Sequence, residues 1–339
     1  MRTETGSATG WGVESSLIER IRTHIAAHWG ADVRIVGRAP GHSHDGWIMT
    51  CADRPGQRFL VRTEPRDGPF LTYDAIREAE LLGGLARLGL PVPHVLMVGG
   101  PEICGVRFLV LDWIDGVVHT PHSAACLGGA ERIAYATEFV QTLTRLHRLP
   151  WTDLLDRGQD PSVSGLLRQF GRTLDQLVVV SSVVLDYVRV WLQQAAVAHS
   201  GEVALVHGDF RLGNLVWRDA RIVGILDWET ARVGDPLFDL AWSCMGATSG
   251  ESPVMGLVSR DEFVALYARA AGRDVAVRDL IFWQVAAAWV RGCTEARLLD
   301  LSVTPDRPET DARDLSWEFG LYRTEHELLS LIDQYEQGR

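Results

Sequence analysis

Three side chains in the second half of the chain have the types and the spacing that phosphoryl transfer needs. Asp209 lies in Val206-His207-Gly208-Asp209-Phe210-Arg211-Leu212-Gly213-Asn214-Leu215; Asn214 follows it five positions on, and Asp227 ends the apolar run Ile225-Leu226 ahead of Trp228-Glu229. Moving a γ-phosphoryl group calls for little covalent help: the protein orients the attacking hydroxyl and neutralises charge on the transferring group. Asp209 has the character to orient and deprotonate an acceptor hydroxyl. Asn214 offers an amide carbonyl and Asp227 a carboxylate, the hard oxygen ligands that Mg²⁺ prefers. An isolated His-Gly-Asp reads as a turn, and an Asp after an apolar run as a strand-ending cap. The order and spacing of all three favour chemistry.

These residues need an element that returns Asp227 to Asn214. The β-rich runs Asn214-Leu215-Val216-Trp217 and Ile222-Val223-Gly224-Ile225-Leu226, joined by the polar Arg218-Asp219-Ala220-Arg221, predict a hairpin with both residues at one end.

His207 to Asn214, Leu226-Asp227-Trp228-Glu229 and Gly234-Asp235-Pro236-Leu237-Phe238-Asp239-Leu240-Ala241-Trp242 resemble the aminoglycoside phosphotransferase and choline kinase-like family. Within it the chain is most similar to the branch that includes the kinase domain fused to some acyl-CoA dehydrogenases. The resemblance covers nearly all of 30–335, with high specificity in 206–242. It implies a two-lobed, protein-kinase-like α+β fold, with a small antiparallel-sheet N-lobe and a larger, mainly helical C-lobe, and it implies ATP and Mg²⁺. It makes Asp209 the catalytic base and Asn214 and Asp227 the metal ligands, with Asp235 and Asp239 bracing the loop. His207 and Arg211 are expected to fix the same loop, and Arg211 has the charge to stabilise the transferring group as well.

Composition agrees with this. A chain of 339 residues, 46% of them hydrophobic, buries a large core and is long enough for two lobes. The expected division is a flexible N-terminus over 1–14, a nucleotide-binding N-lobe over 15–113, and a helical C-lobe over 114–339 carrying the catalytic loop and the acceptor site. No run approaches the ~18 apolar residues of a membrane span. The polar start Met1-Arg2-Thr3-Glu4-Thr5-Gly6 is unlike a signal peptide, so the expectation is a cytoplasmic protein with no membrane partner. Five widely spaced cysteines without a CxxC pair indicate neither a disulfide framework nor a zinc site. A net charge of −11 argues against nucleic acid as a partner. All 33 basic residues are Arg, so nucleotide phosphates must be met by Arg, a backbone nest or metal.

Ahead of the catalytic loop, Leu17, Ile18, Ile21 and Ile25 predict a helix over 15–29. Two strands follow, 33–37 and 47–50, around Gly41-His42-Ser43-His44-Asp45-Gly46. Such a turn folds over phosphates with its backbone N–H groups, which makes Ser43 and His44 nucleotide-binding candidates; an ordinary hairpin turn would look the same. The family resemblance favours Gly-Gly before the Ser and Asn after it, where this chain has His42 and His44. Arg62, at the end of Arg58-Phe59-Leu60-Val61-Arg62, takes the place of the strand-borne Lys that pairs nucleotide phosphates and a helix acid. In the helix predicted over 73–88, Glu78 matches that acid and Glu80 is its rival. Strands over 95–98 and 106–111 lead to Asp112-Trp113-Ile114-Asp115-Gly116, which resembles the interlobe hinge, with backbone groups near Leu111 and Trp113 facing adenine.

Beyond the hinge, Ala136, Phe139, Val140, Leu143 and Leu146 predict a helix whose His147 reads as a satisfied buried histidine rather than a base. Two helices over 161–199 resemble the insert that walls the acceptor site. A loop over 246–253 and helices over 260–271 and 275–300 follow, then a Pro- and Asp-rich linker over 304–314 and a closing helix over 317–335. The aromatic stripe Phe282, Trp283 and Trp289 reads as core, with substrate contact as the alternative.

The expected activity is ATP- and Mg²⁺-dependent phosphorylation of a small-molecule hydroxyl. The acceptor stays open between a hydroxyacyl-CoA, favoured by resemblance, and a polycationic aminoglycoside-type antibiotic, favoured by the negative net charge. A catalytically silent nucleotide-binding scaffold is the rival reading. A protein kinase is weaker, because no Ala-Pro-Glu follows Asp227. The oligomeric state is not legible.

Overall fold

The computed structural model describes residues 9–39, 46–53, 56–65, 68, 73–155, 158–196, 201–247, 249–304 and 313–338. Ser43 and His44, with His42 beside them, lie outside the described residues.

Five short strands carry the first part of the chain: β1 (Val33–Arg38), β2 (Gly46–Cys51), β3 (Arg58–Thr63), β4 (Val95–Gly99) and β5 (Phe108–Asp112). They form one antiparallel sheet in the order β1-β2-β3-β5-β4. Successive side chains of a strand point to opposite faces, and β5 divides its residues accordingly. Phe108 and Val110 join Ile21 and Ile25 of helix α1 (Thr9–Trp29), whereas Leu109 and Leu111 join Leu81, Leu82 and Leu85 of helix α2 (Ala75–Arg87). Burial on both faces is why this strand reads as an unbroken apolar run.

Helix α1 begins at Thr9, ahead of the expected Ser15. Lengthening an existing helix is far cheaper than nucleating one, which lets it run through Gly10 and Gly12. Helix α2 begins at Ala75 rather than Tyr73 because Asp74 caps it, its Oδ1 accepting the N–H groups of Ile76 at 2.8 Å and Arg77 at 3.3 Å.

The remainder is mainly helical: α3 (Pro101–Cys104), α4 (Pro121–Ala125), α5 (Gly129–His147), α6 (Val163–Asp175), α7 (Val183–Ala195), α8 (Leu237–Ser243), α9 (Arg260–Ala271), α10 (Val277–Val303) and α11 (Arg313–Glu336). Helix α10 is apolar almost all round, the mark of a helix enclosed by others, and it packs against α6, α7, α8 and α11. Phe282 and Trp289 are fully buried and Trp283 nearly so, so the aromatic stripe is core. Arg291 is engaged by Glu327 at 2.5 Å and Arg297 by Asp300 at 3.7 Å. The loop expected over 246–253 carries one strand residue, Pro253. Ser249 N–H donates to Ser252 Oγ at 3.1 Å, and β10 (Pro253–Val254) pairs with β11 (Val258–Ser259).

Two small ladders position the site. Strand β6 (Ala204–Val206) pairs with β9 (Arg232–Gly234), and β7 (Leu215–Arg218) pairs with β8 (Arg221–Ile225). The second is the predicted hairpin. Its central residues Asp219 and Ala220 have φ of 50° and 57°, the left-handed pair whose twist matches that of the flanking strands. Among the described residues no helix is long and apolar enough to cross a membrane.

Candidate active site

The loop over 207–214 leaves β6 and is tied down by hydrogen bonds. Gly208 has φ of 89°, and a Cβ there would stand 2.6 Å from Thr230 Oγ1, which itself donates to the His207 carbonyl at 3.0 Å. His207 is fully buried. Its Nδ1 accepts the Asp209 N–H at 3.2 Å, and its Nε2 lies 2.9 Å from the Leu226 carbonyl. A carbonyl only accepts, so Nε2 carries the proton and the neutral ring links the loop to the strand leading to Asp227.

Beneath the loop sits Asp239 of α8, fully buried. Its Oδ2 accepts the His207 N–H at 2.8 Å and lies 3.1 Å from His147 Nε2, while Oδ1 accepts the Gly208 N–H at 2.8 Å. Burial disfavours its charge, but the His147 hydrogen bond and the loop amide outweigh that and hold the carboxyl below its ordinary value. His147 also meets Tyr267 Oη at 3.1 Å, which makes it a buried brace between α5, α8 and α9. Asp235 accepts the Leu237 N–H at 2.8 Å, and burial pushes its carboxyl up.

Asp209 itself accepts from three side chains. Oδ1 takes the indole N–H of Trp242 at 2.6 Å and the Nε–H of Arg211 at 2.9 Å; Oδ2 takes the Asn214 amide at 2.8 Å and the same Arg211 Nε–H at 3.1 Å. Burial raises the Asp209 carboxyl above its ordinary value and Asp227 adds to this, while Arg211 opposes it.

The hairpin brings Asn214 and Asp227 to one end, as the Leu226 N–H donates to the Asn214 carbonyl at 2.8 Å. The Asn214 side-chain nitrogen also donates to the Asp209 carbonyl at 3.0 Å, and with both of its acceptors on one side the amide oxygen is turned away from them. Asp227 has φ of 67°, a left-handed conformation that Asp tolerates better than most residues. Among the described residues no three His, Cys, Asp or Glu form a metal cage. An amide oxygen and a carboxylate are nevertheless the donor set for Mg²⁺, which keeps waters and takes substrate phosphate oxygens as its other ligands.

Facing Asp227 across the cleft is Arg62 of β3. Its Nη2 lies 3.2 Å from Glu78 Oε2 and its Nη1 3.8 Å from Asp227 Oδ1. Glu78 is buried and also accepts the Tyr73 hydroxyl at 2.8 Å; Glu80 is exposed. Among the described residues the buried Arg62 Nε has no hydrogen-bond partner, so the guanidinium has capacity left for an anion. Leu111 sits inside the sheet, opposite Leu60 on one side and Val95 on the other, with its side chain in the core. Trp113 lies just past the strand, its ring under the Arg58 guanidinium at 4.6 Å. A cavity of about 480 Å³ near it, lined among others by Leu90, Pro91, Asp112, Arg218 and Val223, includes none of Asp209, Asn214 and Asp227.

Two contributors escaped sequence reasoning. Trp242 lies within the motif that carries the resemblance, and an indole N–H at the end of an apolar helix was the available signal. Tyr73 precedes the Asp74 cap and was read as helix.

Comparison with known proteins follows the same lines. Human acyl-CoA dehydrogenase family member 11 is 27% identical over 237 residues, 64% of this chain and 30% of that protein, so the chain spans under a third of its relative's length. A choline/ethanolamine kinase family protein from Mesorhizobium loti superposes with a TM-score of 0.63 at 18% identity, over 95% of this chain and 99% of that one. An aminoglycoside phosphotransferase in ternary complex with ADP and hygromycin B gives 0.66 at 13% identity, over 92% and 98%. At these identities the likeness is one of fold. The pattern of the phosphotransferase enzyme family matches residues 35–281, from the first sheet strand into α10, and the chain belongs to that family.

Proposed function

We propose that this chain transfers the γ-phosphoryl group of ATP to a hydroxyl of a small molecule, with Mg²⁺. The observation that carries the reading is the convergence of Asp209, Asn214 and Asp227 at one end of a hairpin, opposite an Arg62 braced by Glu78. Asp209 accepts the hydroxyl proton, with Trp242 and Asn214 keeping its carboxylate in one orientation. The Asn214 amide oxygen and the Asp227 carboxylate would hold Mg²⁺, and Arg62 would meet the nucleotide phosphates. When bound, Mg²⁺ supplies positive charge against the phosphate oxygens. The N-lobe over 15–113 takes the nucleotide and the C-lobe over 114–339 the acceptor, the chain crossing between them near Trp113.

A hydroxyacyl-CoA is the favoured acceptor, supported by the acyl-CoA dehydrogenase relative. The net charge of −11 supports an aminoglycoside instead. The test is Mg²⁺-dependent ATP turnover against hydroxyacyl-CoA thioesters, aminoglycosides, macrolides and choline-like alcohols, with Asp227→Ala as the blank. Turnover with one class, absent from the variant, supports the reading. ATP binding without turnover across the panel favours the silent scaffold, and failure to bind ATP removes the kinase reading.

A further inference from the structure

The Asp209 carboxylate is crowded with donors. An ionised carboxylate offers about four acceptor sites; Trp242 and Asn214 take one on each oxygen, and the single Nε–H of Arg211 straddles both oxygens. An incoming hydroxyl competes with one of these donors. Trp242 is held in α8 and stacks on Phe238, ring centroids 5.9 Å apart. Asn214 is buried and bonds the Asp209 carbonyl as well. Arg211 differs from both: its side chain is 51% exposed and, among the described residues, its side-chain hydrogen bonds go to Asp209 alone. It folds back over Gly213, where any Cβ would strike its guanidinium.

We propose that Arg211 is a displaceable plug on Asp209, and that the acceptor which removes it carries an anionic group, such as a carboxylate or the phosphates of CoA, that reaches Arg211 while its hydroxyl sits at Asp209. This rests on the kinase reading above. A guanidinium lifted from a carboxylate gives up a charge-assisted hydrogen bond, and an anion on the acceptor offers an equivalent, bidentate partner. A neutral alcohol has no replacement to offer, and a polycation is repelled by the same guanidinium. With Arg211 drawn onto the anion, Asp209 takes the proton of the acceptor hydroxyl. The hydroxyl oxygen bonds the γ-phosphorus, and the bond from that phosphorus to ADP breaks.

The plug is measurable without nucleotide or metal. Asp209 is coupled to glycine ethyl ester with a water-soluble carbodiimide, and the labelled peptide is quantified by mass spectrometry. Labelling is expected to be roughly threefold to fivefold faster in Arg211→Ala than in wild type, the factor a half-exposed ion pair can supply. Arg211→Lys keeps the charge and stays near wild type. Sulfate, as the probe anion, speeds wild-type labelling relative to chloride at equal ionic strength and leaves Arg211→Ala unchanged. Mg²⁺-ATP hydrolysis to water, measured without acceptor, rises in the same order.

Equal labelling of wild type and Arg211→Ala would show that Arg211 shields nothing. Equal effects of sulfate and chloride would overturn the anionic acceptor. If ATP alone brought wild type to the Arg211→Ala rate, the nucleotide rather than the acceptor would be what removes the plug, and the inference would fail. Loss of ATP binding, by contrast, would end the kinase reading while leaving the labelling result intact.

Discussion

The indole N–H of Trp242 lies 2.6 Å from Oδ1 of Asp209, and its ring stacks on Phe238 with 26° between the planes. Phe238 in turn packs beneath Arg232, whose guanidinium is 4.0 Å from the ring centroid. The carboxylate is therefore held from the side of α8 by a rigid donor that water cannot replace in the same geometry, while Arg211 approaches from the solvent side.

Trp242→Phe separates that bond from the stacking. The ring remains and the donor is lost. Turnover is expected to fall about tenfold, the worth of one hydrogen bond to a charged group, with the KM for ATP unchanged. Steady-state kinetics beside a thermal melt decide it: an unchanged kcat would mean that Asp209 needs no such support.

The pH–rate profile should report the environment of Asp209. A base must be ionised to accept a proton, and burial, with help from Asp227, pushes this carboxyl above its ordinary 3.8. The acidic limb of kcat/KM is then expected above pH 3.8, and higher still in Arg211→Ala, where the opposing cation is gone. A limb that moves down in the variant would contradict this assignment.

Asp239 governs stability. Its carboxyl is depressed in the folded state, so its contribution is complete above its unfolded value of 3.8 and is lost as pH falls from there through the lower folded value. Asp239→Asn puts an amide against three donors and is expected to cost about 2–4 kcal/mol at neutral pH. Urea titrations should show the gap between wild type and variant closing below pH 3.8. A gap independent of pH would mean that the cost is one of shape, not charge.

Glu78→Ala strips the buried Arg62 of its nearer partner and leaves Asp227 at 3.8 Å. Removing one member of a buried pair costs about 3–5 kcal/mol. Weaker ATP binding is expected with it, because the guanidinium is no longer aimed. Glu80→Ala, on the exposed side of the same helix, should leave both quantities alone. Calorimetric ATP titration and denaturant melts of the two variants compare them directly.

What the amino-acid sequence determined by itself was everything governed by short separations. Asp209 and Asn214 lie five apart in one loop, and the β-rich runs around Arg218-Asp219-Ala220-Arg221 make a hairpin because residues two apart share a face and the turn closes locally. The buried strand Phe108-Leu109-Val110-Leu111 was legible for the same reason, and Arg62 and Glu78 were legible through resemblance. Tertiary structure decided which partners these residues meet. Trp242 reaches Asp209 across 33 positions and His147 reaches Asp239 across 92, through packing of α8 against α5 and the catalytic loop. No periodicity encodes such contacts, because they depend on how whole elements dock. The gathering of three donors on Asp209, with Arg211 the solvent-facing one among the described residues, exists only once that docking is complete.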